Sequence, residues 1–319
     1  MMVMQNLPRY GLYLIVLTLA IACGSDAQKA PGPIYVDQSA EMGGDGSQEH
    51  PLQTMREALQ IAEAEALIIV AAGRYPVPAE WNFEGSLSVL GAIAEPTVFV
   101  ADDDGPRIVW RGSQVNLLVI GGVNFEDALV FETGRVQLES VDIAGQAPAL
   151  SLVEASADLD SVEVSVTEEN PEGDYVGDGV LVQNSTLQWK GGAVLEIPDR
   201  ALMVEGSVVT LESVSLSSTR RAALQLVMGS EFVGQDLTIE DSGLAAFVWQ
   251  SSIALSDSHV ARTAQPAILV SAEAVVQVMD SLFEDCPSGF VGVSYDAISV
   301  TLERNQFLRS NSETCISVG

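Results

Sequence analysis

Acidic side chains are the residues of this chain with the most evident chemical potential. They form two clusters, a run of three aspartates and a polar segment further along the chain. The members are Asp102, Asp103 and Asp104, followed by Glu168, Glu169, Glu172, Asp174 and Asp178. Carboxylates bind calcium, and pairs of them act as acid and base in glycoside cleavage. Neither cluster has the spacing of a calcium-binding loop, so we expect solvated surface charge.

Histidine and tryptophan offer two further kinds of chemistry. His50 and His259 have no neighbouring Cys or second His, which argues against a zinc site, and we predict no metal and no cofactor. His259 is expected on an outward strand position. Trp189 and Trp249 have rings that can stack on sugars, but the repeat described next places Trp249 in the interior.

From residue 128 onward the sequence is repetitive, so the repeat determines where any functional side chain lies. A small residue followed by apolar–any–apolar recurs nine times, and the first apolar residues are 21, 30, 22, 22, 23, 21, 22 and 26 residues apart. A period of this length predicts a solenoid. Two more alternating segments in each repeat, separated by turn-forming residues, predict three strands per coil. A β-sandwich is the alternative, although it requires no constant period.

The repeat therefore predicts an all-β fold, a parallel β-helix of about nine to ten coils. Two columns should face its interior. The first is Leu129, Leu150, Val180, Leu202, Leu224, Phe247, Ile268, Phe290 and Ile316. The second is Phe131, Leu152, Val182, Val204, Leu226, Trp249 and Val270. The 30-residue step holds an insertion near residues 167–177, which is expected to protrude as a loop.

The residue between the two inward positions of each repeat should face outward. None of the nine is charged, so we predict no catalytic residue and no catalytic groove on this strand. Six are apolar and form a candidate interface stripe of Val130, Leu181, Met203, Val248, Leu269 and Val291, beside Ser151, Gln225 and Ser317. Exposed apolar patches usually mark interfaces. The alternative is that long turns or the N-terminal segment cover the stripe.

The N-terminus has the pattern of an export signal. Arg9 precedes an apolar run from Tyr10 to Ala22 that is too short to span a bilayer. Small residues directly before Cys23 resemble a bacterial lipoprotein signal, although Ala20 stands where that family prefers Leu. The resemblance implies a signal peptide over 1–22, lipidation of Cys23 and a tether over 23–33. An ordinary secretory signal is the alternative.

The residue after Cys23 and the overall charge indicate a location and exclude some partners. Gly24 stands where an aspartate would suggest retention in the inner membrane, so we expect the outer membrane of a Gram-negative bacterium, on its periplasmic or its surface side. The formal charge of −30 repels nucleic acid and anionic lipid. The membrane contact would run through the lipid anchor.

Cys286 and Cys315 raise the question of a disulfide, which an exported compartment permits. In the coil frame Phe283 aligns with Phe307, so Cys286 should stack on Ser310 rather than on Cys315. A disulfide and two free buried thiols both remain open.

Residues 34–80 differ from the coils and predict a strand and a capping helix. Thr54 and Glu57 have the form of a capping box, and apolar residues after Thr54 share one helical face. These are Met55, Ala58, Leu59 and Ala62. An amphipathic helix over the first coil would protect an open β-helix end. No matching cap follows the last coil, so we expect that this edge caps itself, that it meets a partner, or that the sequence is truncated there.

Several short motifs of this region occur in a known order. They are Tyr35-Val36-Asp37, Gly44-Asp45-Gly46, Pro51-Leu52-Gln53-Thr54, Ala58-Leu59, Ile68-Ile69-Val70 and Gly73-Arg74-Tyr75. The set resembles the N-terminus of bacterial right-handed parallel β-helix proteins of the pectate-lyase-like superfamily, although Glu65-Ala66 replaces the usual Gly-Asp. The resemblance implies a right-handed β-helix over residues 81–319 and leaves the activity open, because this fold carries many.

The sequence thus favours an exported, lipid-anchored β-helix that acts as a non-catalytic binding or structural module at the cell envelope. Its partner would be an envelope protein or a polysaccharide. Two alternatives remain. One is a polysaccharide lyase or glycoside hydrolase of the pectate-lyase-like superfamily, with its site built from turns. The other is a calcium-dependent adhesin.

Overall fold

The computed structural model describes residues 32–83, 85–92, 95–102, 107–113, 116–168, 177–288, 290–292 and 298–309. Within these ranges the chain forms 29 strands, all paired in parallel, and one short helix. The strands stack coil upon coil in three rows, which we call sheets A, B and C. The predicted all-β parallel β-helix is confirmed.

Sheet A consists of ten strands among the described residues, in agreement with about ten coils. They are β4 (Glu80–Asn82), β7 (Arg107–Arg111), β10 (Ala128–Glu132), β13 (Leu150–Val153), β15 (Val180–Gln183), β17 (Arg200–Glu205), the ends of β19 (Ser215–Val227) and β21 (Thr238–Trp249), β24 (Ile268–Ser271) and β27 (Phe290–Gly292).

Sheet B follows sheet A in each coil. Its strands are β1 (Ile34–Val36), β2 (Ala66–Val70), β5 (Leu87–Leu90), β8 (Leu117–Gly121), β11 (Arg135–Glu139), the starts of β14 (Ser156–Glu168) and β16 (Thr186–Leu195), β18 (Val208–Glu212), β20 (Glu231–Gln235), β22 (Ser252–Ser256), β25 (Val275–Met279) and β28 (Ser299–Glu303).

Sheet C completes the coil. It contains β3 (Gly73–Val77), β6 (Thr97–Ala101), β9 (Val123–Phe125), β12 (Asp142–Gln146), the ends of β14 and β16, the starts of β19 and β21, β23 (His259–Ala261), β26 (Leu282–Glu284) and β29 (Gln306–Leu308).

Most of the predicted interior columns pair in register. Leu129 lies opposite Leu150, and Leu150 lies opposite Val180 across the 30-residue step. The insertion therefore leaves the stacking of sheet A intact, as expected for a loop between coils. Residues 169–176 of that insertion lie outside the described part of the chain.

The register of β21 differs from the prediction by one residue. Leu224 pairs with Ala246 and Leu226 pairs with Val248, so Val248 belongs to the core and is fully buried. The predictions that Phe247 and Trp249 face inward, and that Val248 belongs to the outward stripe, were wrong. A shift of one residue moves every side chain of a strand to the opposite face.

The corners of the coils are built from stacked polar turns. Ser213, Asp236, Asp257 and Asp280 all have positive φ where sheet B turns into sheet C, a conformation that Asp tolerates better than most residues. At the corner from sheet A to sheet B, Ser207 Oγ accepts a hydrogen bond from Ser185 N at 3.0 Å. This bond links the corners of two successive coils and satisfies a buried backbone donor.

The predicted N-terminal cap is present. Helix α1 (Met55–Ile61) begins after Thr54, whose side chain forms the reciprocal capping box with Glu57. Met55 and Ala58 are fully buried, and Leu59 and Ala62 pack against the core. Within the described ranges, no helix is long and apolar enough to cross a membrane. The predicted signal peptide, Cys23 and most of the tether lie outside those ranges.

Candidate functional site

The outward row of sheet A has no charged side chain from β7 to β27, and it ends on β4 at the exposed Glu80, which pairs with Val109. In register from β7 to β27 it reads Val109, Val130, Ser151, Leu181, Met203, Gln225, Phe247, Leu269 and Val291. Phe247 takes the place predicted for Val248. The structure thus aligns most of the predicted stripe on one face, although the side chain of Val291 is not among those described.

The middle of this row is covered by neighbouring side chains. Leu181 and Met203 are only 5% and 4% exposed, and they pack with Val227 and the partly buried Trp249. Towards the two ends, Val130 and Leu269 are half-buried, and so is Phe247. The accessible part of the row therefore lies on either side of a closed centre.

A buried ion pair lies beside that centre. Arg200 Nε donates a hydrogen bond of 2.6 Å to Asp178 Oδ1, and the two side chains are 8% and 0% exposed. Arg200 Nη1 also donates to Gln225 Oε1 at 3.3 Å and lies 3.8 Å from Met203 Sδ. The charges of Arg200 and Asp178 are therefore almost completely shielded from solvent, although the pair lies outside the hydrophobic core.

Burial dominates the electrostatics of this pair. It raises the pKa of Asp178 to about 6, although the Arg200 guanidinium acts in the opposite direction. The second oxygen, Asp178 Oδ2, has no hydrogen-bond partner within the described residues. The prediction that Asp178 is solvated charge was wrong.

The spacing of the sequence explains how the pair forms. Asp178 stands two residues before the inward Val180, and Arg200 stands two residues before the inward Leu202. The two positions are 22 residues apart, which is one coil. Stacked positions of adjacent coils are about 4.8 Å apart, so opposite charges there meet directly.

Sheet C presents a different surface, with arginines bonded to carboxylates of the preceding coil. Arg262 Nε lies 2.7 Å from Asp241 Oδ1, and Arg309 Nε lies at the same distance from Asp285 Oδ1. Both arginine side chains are exposed. Their hydrogen bonds lower the pKa of Asp241 and of Asp285, as a solvated partner of opposite charge does.

His259 occupies the predicted outward position, on β23 of sheet C. Its Nε2 lies 3.3 Å from Glu284 Oε2, and its Nδ1 lies 3.8 Å from Glu240 Oε1. The two ring nitrogens thus face different carboxylates on opposite sides and do not converge on one point. Among the described residues, no three His, Cys, Asp or Glu side chains come together as a metal site would require.

Two shallow depressions lie outside the closed centre of sheet A, one on sheet B and one at β4, the first strand of sheet A. One of about 260 Å³ on sheet B is lined by polar side chains that include Asp158, Asp160, Gln188 and Lys190. Lys190 Nζ is 3.0 Å from Glu212 Oε1, so its charge is already compensated. The other, of about 290 Å³, lies beside α1 and is lined by Arg56, Gln60, Glu80 and Asn82 among others.

The remaining candidate residues take separate places. Trp189 belongs to the core, and Cys286 is buried with its Sγ 3.9 Å from Val260 O. Phe283 pairs with Phe307 as predicted, whereas Ser310 and Cys315 lie outside the described residues. Asp102 bonds to Arg56. The other members of the two acidic clusters, Asp103, Asp104, Glu169, Glu172 and Asp174, are not described, nor is the side chain of Glu168.

Comparison with known proteins gives structural neighbours and no relatives. No family model and no curated protein matches the chain. Pectate lyase Pel9A is 12% identical over 86% of this chain and 79% of its own, with a TM-score of 0.47. The catalytic domain of a GH87 alpha-1,3-glucanase in complex with nigerose is 10% identical over 93% and 69%, with a TM-score of 0.49.

A third neighbour is tailspike protein 2 from an Escherichia coli bacteriophage. It is 11% identical over 91% of this chain and 42% of its own, with a TM-score of 0.48. The neighbours agree with the β-helix that the strand pairing establishes, as the predicted resemblance implies. At such identities and scores they carry no argument about activity.

Proposed function

We propose that this chain is an exported, lipid-anchored β-helix protein that acts as a non-catalytic binding module at the cell envelope, with the outer face of sheet A as its binding face. The observation that carries the proposal is the uncharged outward row, in which Phe247 and Leu269 stand half-buried beside Trp249. The cores of protein interfaces are likewise depleted of charged residues and enriched in aromatic residues and Met.

The surroundings of the row support a non-catalytic role. Asp178 is fully buried and bonded to Arg200, so its carboxyl group cannot reach a substrate without a rearrangement. On sheet C, arginines hold the nearby aspartates ionised, which opposes the role of a general acid. Glycoside cleavage needs one carboxyl group that stays protonated and accessible.

The ligand would be an envelope polysaccharide or an envelope protein. Phe247 and Trp249 stand two residues apart on β21 and face the same side. Such rings offer flat apolar surface to a sugar or to an apolar side chain, and the Gln225 amide of the neighbouring strand adds a hydrogen-bonding group. The outward orientation of Trp249 makes polysaccharides the first class to screen.

The lipid anchor rests on the sequence before Cys23, and labelling can test it. Cells that express the full chain are expected to incorporate radioactive palmitate into it and to retain it in the outer-membrane fraction. The Cys23→Ser variant should lose the label. A parent chain without label and recovered from the soluble fraction would contradict the anchor.

Binding and catalysis can be separated in one screen. The full chain is tested against neutral and acidic polysaccharides with and without calcium, and both retention and new chain ends are measured. We expect retention without cleavage, lost in Phe247→Asp and kept in Thr238→Asp. Thr238 is the matched control because it lies on the same strand but belongs to sheet C.

The two alternative functions predict other outcomes of this screen. A lyase or hydrolase would release new chain ends, and Asp or Glu substitutions would abolish the release. A calcium-dependent adhesin would show calcium-dependent retention and a higher melting temperature with calcium, because a ligand of the folded state stabilises it.

A further inference from the structure

Gln225 brings an amide group into the outward row of sheet A. It pairs in register with Met203 on one side and with Phe247 on the other, and its side chain is half-buried. The two ends of an amide differ, because the carbonyl oxygen accepts hydrogen bonds and the NH2 group donates them. The end that is left available therefore decides which kind of ligand atom the row can bind.

Arg200 fixes the orientation of this amide. A guanidinium group donates hydrogen bonds and accepts none, so it can bond only to the oxygen of the amide. Arg200 Nη1 donates to Gln225 Oε1 at 3.3 Å, and Gln225 Nε2 has no hydrogen-bond partner within the described residues. The N–H donor is thus the end of Gln225 that remains for a ligand.

The buried ion pair in turn holds Arg200 in place. Arg200 Nε donates to Asp178 Oδ1 at 2.6 Å and lies 3.5 Å from Asp199 Oδ2. The arginine side chain is only 8% exposed, so it is surrounded by protein on almost every side. A binding group that is fixed by a buried support loses less conformational freedom when a ligand arrives.

The positions next to Gln225 are uncharged and partly aromatic. Phe247 pairs with Leu269 on the following strand, and Trp249 pairs with Ser271 two residues further along. Aromatic rings offer a flat apolar surface on which the CH face of a sugar ring can lie. A charged sugar would find no opposite charge among these side chains.

We propose that the Asp178–Arg200 pair positions the Gln225 amide as a hydrogen-bond donor, so that sheet A selects a neutral sugar unit. An oxygen of the sugar accepts the bond from Gln225 Nε2, and its apolar face lies on Phe247. Neighbouring strands are about 4.8 Å apart, so one sugar ring can reach both side chains. The inference rests on the proposed function, because it names the ligand class of the same face.

Photo-cross-linking from position 269 tests the ligand class. A photoreactive residue in place of Leu269 lies beside Phe247 and leaves Phe247 and Gln225 intact. The purified full chain in mild detergent is mixed with dilution series of three envelope fractions: neutral polysaccharide, acidic polysaccharide and protein. We expect adducts with the neutral polysaccharide, and the amount that gives half-maximal adduct measures binding.

Two substitutions of Gln225 test the donor. Gln225→Glu keeps the size of the side chain and an acceptor for Arg200 but removes the N–H group, and Gln225→Met removes it without adding charge. Each should raise the half-maximal amount about tenfold, because a sugar oxygen loses its partner. Gln277→Glu is the matched control, because Gln277 is exposed on β25 of sheet B, and it should bind as the parent does.

A double-mutant cycle tests whether Arg200 acts through Gln225. In the Asp178→Asn and Arg200→Met background nothing fixes the amide, so Gln225→Glu should raise the half-maximal amount about threefold rather than tenfold. If the pair only stabilised the fold, the effect of Gln225→Glu would be the same in both backgrounds. Circular dichroism confirms that each variant is folded before its binding is compared.

The outcomes separate this inference from the proposed function. If the parent forms adducts and both Gln225 variants bind equally well, the donor assignment is wrong while the binding face stands. Adducts with acidic polysaccharide or protein alone would overturn the neutral sugar as the ligand. If the parent forms no adduct with any fraction, the binding face on sheet A is itself wrong, and this inference falls with it.

Discussion

Two ion pairs of this protein have the same geometry and opposite electrostatics. Arg200 Nε lies 2.6 Å from Asp178 Oδ1 beside sheet A, and Arg262 Nε lies 2.7 Å from Asp241 Oδ1 on sheet C. Each pair joins adjacent coils. Yet the pKa of Asp178 is raised to about 6 whereas that of Asp241 is lowered.

Exposure accounts for the difference. The side chains of the first pair are 8% and 0% exposed, and those of the second are 46% and 51% exposed. The free energy needed to remove the Asp178 carboxylate from water exceeds the stabilisation that one arginine provides. Burial therefore determines the direction of the pKa shift beside sheet A. The comparison shows that the outer side of sheet A is dry at its centre, whereas the charged edge of sheet C stays wet.

The largest effect should come from removing the buried cation. Arg200→Met leaves the Asp178 carboxylate buried without its partner, which typically costs 3–5 kcal/mol of unfolding free energy. Urea unfolding at pH 7.5 measures it. The loss should shrink at pH 5, because Asp178 can then be protonated.

A double variant provides the control for this prediction. Asp178→Asn combined with Arg200→Met removes both charges and should lie closer to the parent than Arg200→Met alone. If the double variant is less stable than Arg200→Met, lost packing rather than an unpaired charge causes the loss of stability. That result would contradict the electrostatic difference between the two ion pairs.

The next effect is a pH dependence that Asp178 should dominate. Its pKa is higher in the folded chain than the ordinary 3.8, so the folded state binds the proton more readily. Stability from this group therefore rises as pH falls from 7 through 6 towards 4, by on the order of 2 kcal/mol. Asp178→Asn should flatten this rise in urea unfolding curves measured at several pH values.

Asp241 and Asp285 act in another pH window. Their pKa values are lowered, so their contribution is present at neutral pH and is lost only as pH falls below about 3.8. A pH dependence between 4 and 7 that is unchanged in Asp178→Asn would show that the raised pKa belongs to another group.

The smallest effect should come from the exposed pair. Arg262→Gln removes bonds to Asp241 and Glu240 in open solvent, where water replaces them, so the loss of unfolding free energy should be far smaller than that of Arg200→Met. The loss should shrink further in 1 M salt, because salt screens exposed charges. If Arg262→Gln lost as much unfolding free energy as Arg200→Met, the buried pair beside sheet A and the exposed pair on sheet C would not differ as we describe.

The repeat predicted most of the fold because stacking imposes a nearly constant spacing. It failed at β21, where Ala245-Ala246-Phe247-Val248 and Ala246-Phe247-Val248-Trp249 both fit the small–apolar–any–apolar pattern. In a run of apolar residues alternation does not define which side chains face inward. The observed register restores even steps of 22 residues from Leu224 to Ala246 and from Ala246 to Ile268.

The candidate site was less predictable, because its burial depends on contacts between coils. Asp178 sits at the end of a polar insertion, and its neighbours in sequence suggest solvent. One feature of the sequence could have predicted the ion pair. Asp178 and Arg200 stand at matching positions of consecutive repeats, one coil apart. Coverage of Leu181 and Met203 by Val227 and Trp249 follows from packing that sequence spacing does not encode.

Site-specific photo-cross-linking in living cells tests most directly whether sheet A is the binding face. A photoreactive residue is placed at Phe247 or at Thr238, which lie on the same strand but on sheets A and C. We predict a partner cross-linked from position 247 and none from position 238. Equal cross-linking from both positions, or none from 247, would contradict the assignment of the binding face.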